Sequence, residues 1–223
     1  MQVRFHCQLI YQVINICFAM VVIVPCVSVG NVPQLAIDLL IHTYGFKLVR
    51  SLDDVHLYPF AGPLDGVNSV PEHGISTACQ LFQLGDISIL QLRSPPLNGH
   101  KRAFLQSVVD VVGDSDVLVV GSANAGMQFS DFGHEKIKEF TSSTVPQLIP
   151  ESGYFVDAFD YFKTATGVVL FTYEGDNIQS AKLLATELCQ RLGLDEKAFV
   201  HPFSWKRVYG NSIPLGIEQG LYS

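Results

Sequence analysis

Apolar residues fall in short blocks along this chain, and the period of the blocks changes from one to the next. "MVVIVPCVSV" (20–29) is a continuous run rich in valine and isoleucine, the pattern of a strand buried on both faces. Directly after it, "GNVPQLAIDLLIHTYG" sets Val32, Leu35, Ala36, Leu39 and Leu40 at helical spacing, with Ile37 and Ile41 beside them. That spacing predicts a largely buried helix. Asn31 is a favoured N-cap residue and Gln34 completes a capping-box pattern with it. Pro33 suits the first turn, and Gly45 is placed to end the helix.

Farther along, "FKLVRSL" (46–52) predicts a second strand, and 53–75 reads as a long loop of Asp, Gly, Pro, Asn and His. "STACQLFQLGDISILQLRS" predicts two strands joined by a tight turn at Gly85-Asp86. "KRAFLQSVVDVV" (101–112) is an amphipathic helix with Phe104, Val108, Val111 and Val112 inward, and "DVLVVGSANAG" (116–126) is another buried strand. The stretch 128–166 has the weakest period; it suggests one helix near 133–140 and another near 153–163. "GVVLFTYEGDN" gives a strand and turn, then "IQSAKLLATELCQRLGL" a helix with Ile178, Ala181, Leu184, Leu188 and Leu192 on its apolar side, ended at Gly193. From His201 onward prolines and glycines predict irregular chain, held to the body by Trp205 and loose at its end. Strands alternating with helices imply a single three-layer α/β domain with a mixed, largely parallel sheet.

Composition narrows the function classes. The 223 residues suit one domain of generous size, and 48% hydrophobic against 16% charged residues excludes a disordered chain. A formal charge of −7 with no basic run longer than "HKR" or "WKR" disfavours nucleic acid as a partner. The five cysteines (7, 17, 26, 79 and 189) form no CxxC pair and read as scattered core thiols. The N-terminal segment carries Arg4, an apolar run from Ile16 to Val24 and small residues at Ser28 and Gly30, which together pass for a signal peptide. Gln8, Gln12 and Asn15 interrupt it as a membrane span. Cleavage after Gly30 would remove the very strand that the next helix should pack on, so the strand is the better reading.

Candidate chemistry is sparse. "VSVGN" at a strand-to-helix turn invites a phosphate, but neither GxGxxG nor GxxxxGK[ST] is present and Pro33 removes one donor. "GSAN" (121–124) and "EGDN" (174–177) end strands, where α/β enzymes keep ligand groups, so Asn31, Ser122 and Glu174 are the candidates for a phosphorylase- or hydrolase-like small-molecule enzyme. Against that, Asp176 or Asn177 is also what a helix beginning at Ile178 wants as a cap. GxSxG is absent, and none of the seven histidines stands in HxxxH or HExxH spacing, so no catalytic constellation, metal or cofactor is expected.

Four quoted stretches carry a resemblance. "PCVSVGNVPQLAIDLLI" (25–41), "LQLRS" (90–94), "EGDNI" (174–178) and "SWKRVYGNSIP" (204–214) occur in the order and form of the proteasome assembly chaperone 2 family. The first is the specific one. The resemblance implies a domain related to the phosphorylase/hydrolase-like fold but without enzymatic activity. It implies a heterodimer with proteasome assembly chaperone 1 that binds proteasome α subunits and assists α-ring formation of the 20S core, in cytoplasm and nucleus. It divides the chain into an N-terminal extension (1–19), a chaperone domain (20–213) and a C-terminal tail (214–223). In such a tail, Leu221, Tyr222 and Ser223 match a hydrophobic–tyrosine–any-residue motif that inserts between neighbouring α subunits.

Overall fold

Strand β1 (Val21–Pro25) is buried because it runs between two parallel neighbours in the middle of a sheet. Val22 and Val24 join the core on one face and Ile23 the core on the other, so the strand needs apolar residues at every position. This is a computed structural model, and it describes residues 21–53, 55–68, 74–127, 135–162 and 164–205. The expected extension 1–19 and the tail 214–223 lie outside them.

A 3₁₀ turn (Val29–Asn31) leads into helix α1 (Val32–Tyr44), whose residues 32–41 are all buried. The chain then forms β2 (Lys47–Ser51), the short β3 (Ala61–Pro63) and β4 (Ile75–Thr77), and the hairpin β5 (Cys79–Leu84) and β6 (Ile87–Leu92). Helix α2 (Lys101–Val112) crosses to β7 (Asp116–Asn124); β8 (Ile137–Thr141), the four-residue α3 (Phe155–Ala158), β9 (Ala165–Thr172) and α4 (Ile178–Arg191) complete the order. The main sheet has seven strands in the order β2-β5-β6-β1-β7-β9-β8, and β3 pairs only with β4. Its centre, β6-β1-β7-β9, is parallel, while β5 and β8 join antiparallel to that centre and β2 antiparallel to β5.

Two cores sandwich the sheet. Helices α1 and α4 pack with Ile23, Leu118, Val120 and Val168 on one face. On the other, α2 and α3 pack with Val24, Val119, Val169 and Phe171. Phe155 lies so close to the sheet that a Cβ on Gly167 would stand 2.4 Å from its ring, which is why a glycine serves there. These layers match the three-layer α/β expectation. Leu105 is also fully buried on α2, while Val111 is only half-buried.

Four local expectations are corrected. The helix near 133–140 is instead strand β8, paired antiparallel along β9 from Ile137–Leu170 to Thr141–Thr166. Hydrogen bonding to the outer edge of β9 outweighs the weak helical period of that stretch. The helix near 153–163 shrinks to α3, with single turns on either side such as Phe155 N–H to Ser152 O and Phe162 N–H to Ala158 O. The loop 53–75 contains β3, and Leu57 is tied to Pro96 by an isolated bridge. Finally, the capping box does not form: Asn31 has φ +51° and makes no side-chain cap bond, and Gln34 is buried in the first turn of α1.

Trp205 is 5% exposed in the α1/α4 core, and its ring lies 5.2 Å from that of His201. The segment reaching it is pinned on the way by Val200 N–H to Thr43 Oγ1 and by Phe203 N–H to Gly66 O. The expected anchor is therefore in place.

Candidate functional site

The parallel centre of the sheet brings the ends of β1, β7 and β9 side by side, and with them the residues marked in "VSVGN", "GSAN" and "EGDN". Ser122 donates from Oγ to Val29 O at 2.6 Å, and its N–H donates to Ser28 Oγ at 2.9 Å. Ser28 Oγ in turn donates to Cys26 O at 3.1 Å, leaving the two hydroxyl oxygens 2.9 Å apart. Each hydroxyl has one proton, and a backbone carbonyl accepts each. Ser122 is fully buried. The pair works as a clasp between the turn after β1 and the end of β7.

The second half of this cluster closes over Gly30. Its N–H, the donor that a bound anion would use, points to Glu174 Oε1 at 3.0 Å. Gly30 has φ +64°, and a Cβ there would lie 2.1 Å from Asn177 Nδ2. Asn177 accepts from Thr172 Oγ1 at 2.9 Å and donates to Gly175 O at 3.1 Å. Asp176 Oδ1 takes the N–H of Ile178 at 3.1 Å, the start signal for α4. The candidates Asn31, Ser122 and Glu174 thus lie at one end of the parallel strands, where hydrogen bonds of Ser122 and Glu174 hold the ends of β7 and β9 to the turn that carries Asn31.

Another cluster was hidden in the sequence. Asp38 is the one charged residue of α1, and it is buried among apolar neighbours. Arg93, just past β6, donates to both of its carboxylate oxygens, Nη1 to Oδ2 at 2.8 Å and Nη2 to Oδ1 at 2.9 Å. Gln91 Nε2 adds a bond to Asp38 Oδ1 at 2.5 Å and one to Gln34 O at 3.3 Å. Burial opposes the charge on Arg93, but the adjacent Asp38 carboxylate overrides it and holds the guanidinium pKa above its ordinary value. The signal was available: a carboxylate on a buried helix face requires a cation or several donors. Beside the pair lies a pocket of about 270 Å³, walled by Phe46, Leu48, Leu64, Val67 and Phe82 and floored by Gln80 and Arg93.

Two residues of the pocket lining, Leu48 and Val67, are themselves exposed large hydrophobic side chains. Among the described residues, seven of the ten exposed large hydrophobic side chains lie between Leu48 and Ile75, along β2 and the excursion after it. All five residues of β2 are exposed although the strand belongs to the main sheet. Elsewhere His56 and His100 share a hydrogen bond between Nδ1 atoms at 3.2 Å. Among the described residues no group of three or more metal-ligating side chains is assembled, and no helix is long and apolar enough to cross a membrane. Leu221, Tyr222 and Ser223 lie outside the described residues.

Comparison with known proteins follows the same outline. A model of the PAC2 family matches residues 22–188, from β1 into α4. A proteasome assembly chaperone 2 of Danio rerio is 28% identical over 239 aligned positions, covering 86% of this chain and 92% of the relative. A protein of the same name from Xenopus laevis is 25% identical over 243 positions, covering 87% and 93%. Among solved structures, the fold is similar to Pyrococcus furiosus PbaA, described as an archaeal homolog of proteasome-assembly chaperone, with TM-score 0.59 and 14% identity over 81% of this chain and 84% of that one. It is also similar to PbaB of the same organism, described as an archaeal proteasome activator, with TM-score 0.54 and 14% identity over 82% and 87%. Both relatives share the α/β fold with its mixed central sheet.

Proposed function

Since the chain belongs to the PAC2 family, we propose that it is a non-enzymatic chaperone of 20S proteasome assembly. It acts as a heterodimer with proteasome assembly chaperone 1, in cytoplasm and nucleus, and promotes formation of the α-ring. The observation that carries this reading is the family match over residues 22–188, which spans both faces of the sheet. The strand-end cluster supports it: the groups an enzyme of the phosphorylase/hydrolase-like fold would turn toward a ligand are here bonded within the protein. Kinship with that fold, and the division into body (20–213) and tail (214–223) after an extension of 1–19, belong to the same proposal.

The tail supplies the contact with the ring. Leu221 brings about 1.5–3 kcal/mol if fully buried, and the ionised Ser223 carboxylate a charge-assisted hydrogen bond of about the same size. Tyr222 adds an apolar ring and one hydroxyl. Association alone costs at least about 4 kcal/mol, so one tail holds weakly and requires a body already docked on the ring. From Pro214 the chain to Ser223 can reach about 30 Å, far enough to enter a pocket between α subunits.

Affinity purification of the full chain, and of a form lacking Leu221–Ser223, tests the reading. The full chain should recover α subunits and a second chaperone. The shortened form should recover fewer α subunits and keep the second chaperone. Recovery of no α subunits by the full chain would overturn the proposal.

A further inference from the structure

One side of the main sheet ends at β2, and among the described residues no other strand covers its outer backbone. The register with β5 decides where its side chains go. Leu48 stands opposite Phe82, on the α1 side, and forms part of the pocket wall. Lys47 stands opposite Gln83 and Arg50 opposite Leu81, so both cations share the other face. Residues three apart normally alternate; the bulge at Val49 supplies the extra residue that sets these two on one side. Neither cation is ion-paired or hydrogen-bonded among the described residues, in a chain of formal charge −7. Leu48 and Val49 keep 43% and 45% of their surfaces exposed.

We propose that β2 is the docking edge for an extended acidic segment of a different protein chain, one that alternates carboxylates with large apolar side chains. An added strand lies about 4.8 Å from β2 and takes up its outward N–H and C=O groups. On one face its carboxylates stand beside Lys47 and Arg50, about 4.5–5.5 Å apart between Cβ atoms. On the other face its apolar side chains stand beside Leu48, where one of them enters the 270 Å³ pocket over Phe46 and Val67. The same charges reject a second copy of this chain. In the antiparallel register that sets Lys47 opposite Arg50, and in the in-register parallel one, cations would face each other across the edge, which is destabilising. The edge therefore selects an unlike partner. That the segment belongs to the second chaperone rests on the proposed function; that the edge takes an acidic, alternating strand does not.

Two measurements with the full chain separate these statements. In the first, fluorescence anisotropy follows an end-capped, labelled eight-residue peptide alternating Glu with Leu, and a control alternating Lys with Leu. The acidic peptide should bind and the control should not, and K47E/R50E should weaken the acidic peptide by at least about tenfold while leaving the melting temperature unchanged. Equal binding of the two peptides, or none of either, overturns the edge proposal. In the second, the full chain and K47E/R50E are compared for recovery of the second chaperone. Loss with the variant alone places that partner on β2. Undiminished recovery with the variant overturns this placement, whereas failure of both chains to recover it counts against the proposed heterodimer.

Discussion

Arg93 grips Asp38 through two parallel hydrogen bonds of 2.8 and 2.9 Å, joining helix α1 to the end of β6 across 55 residues of sequence. The Asp38 side chain is 3% exposed and that of Arg93 22%, so the pair is sheltered at the carboxylate and reaches the pocket at the guanidinium. Removing one partner leaves the other without its counter-charge. Asp38→Ala should lower stability by about 2–3 kcal/mol, somewhat below the cost for a fully enclosed pair because Arg93 can turn toward water. Asp38→Leu combined with Arg93→Met should recover part of that loss. Urea unfolding of the single and double variants would show a less-than-additive pattern; strict additivity would mean that the two side chains act independently.

Gly30 makes a different prediction, because both its backbone and its neighbour exclude a side chain. Alanine there would sit at φ +64° and overlap Asn177 Nδ2. Gly30→Ala should cost about 2–3 kcal/mol from the left-handed backbone and the overlap together. Asn177→Ala gives up the bonds to Thr172 and Gly175 but relieves the overlap with the added methyl group, so the double variant should fall short of the additive loss by about 1 kcal/mol in denaturant titrations.

Trp205 is the sole tryptophan, and His201 packs beside it with its ring tilted by 46° and a pKa lowered first by burial and then by Lys182. A histidine whose folded pKa lies below its unfolded value of about 6.5 binds protons more readily when unfolded. Its contribution to the anchor is thus fully present above about pH 6.5 and is lost as pH falls through the lower folded value. Tryptophan emission from Trp205 should report loosening of the segment on acidification, and His201→Gln should flatten that response. An unchanged profile in the variant would assign the transition to another group.

For the tail, Tyr222→Ala should weaken binding to α-rings by roughly tenfold or more, the equivalent of losing one large apolar contact. The melting temperature and recovery of the second chaperone should stay as in the unaltered chain. Loss of the second chaperone as well would show that the tail serves the heterodimer rather than the ring.

Period and turn chemistry by themselves determined β1, α1, the β5–β6 hairpin at Gly85-Asp86, β7, β9 and α4. Those elements are specified by neighbours a few residues apart, and an apolar run such as 21–25 can only be buried. The charge and motif content likewise limited the chemistry without any coordinates. Tertiary structure alone decided the rest. Whether 137–141 extended or coiled depended on the vacant edge of β9, whose paired residues lie 25–33 positions away in sequence. Whether Ser122 and Glu174 faced a ligand depended on Ser28, Val29 and Gly30, which the parallel register carries to them. The strand "KLVRS" became an exposed edge only because the sheet ends there. Local preference acts over a turn or two of chain, whereas burial, pairing and hydrogen-bond partners are settled by residues that only the folded sheet brings together.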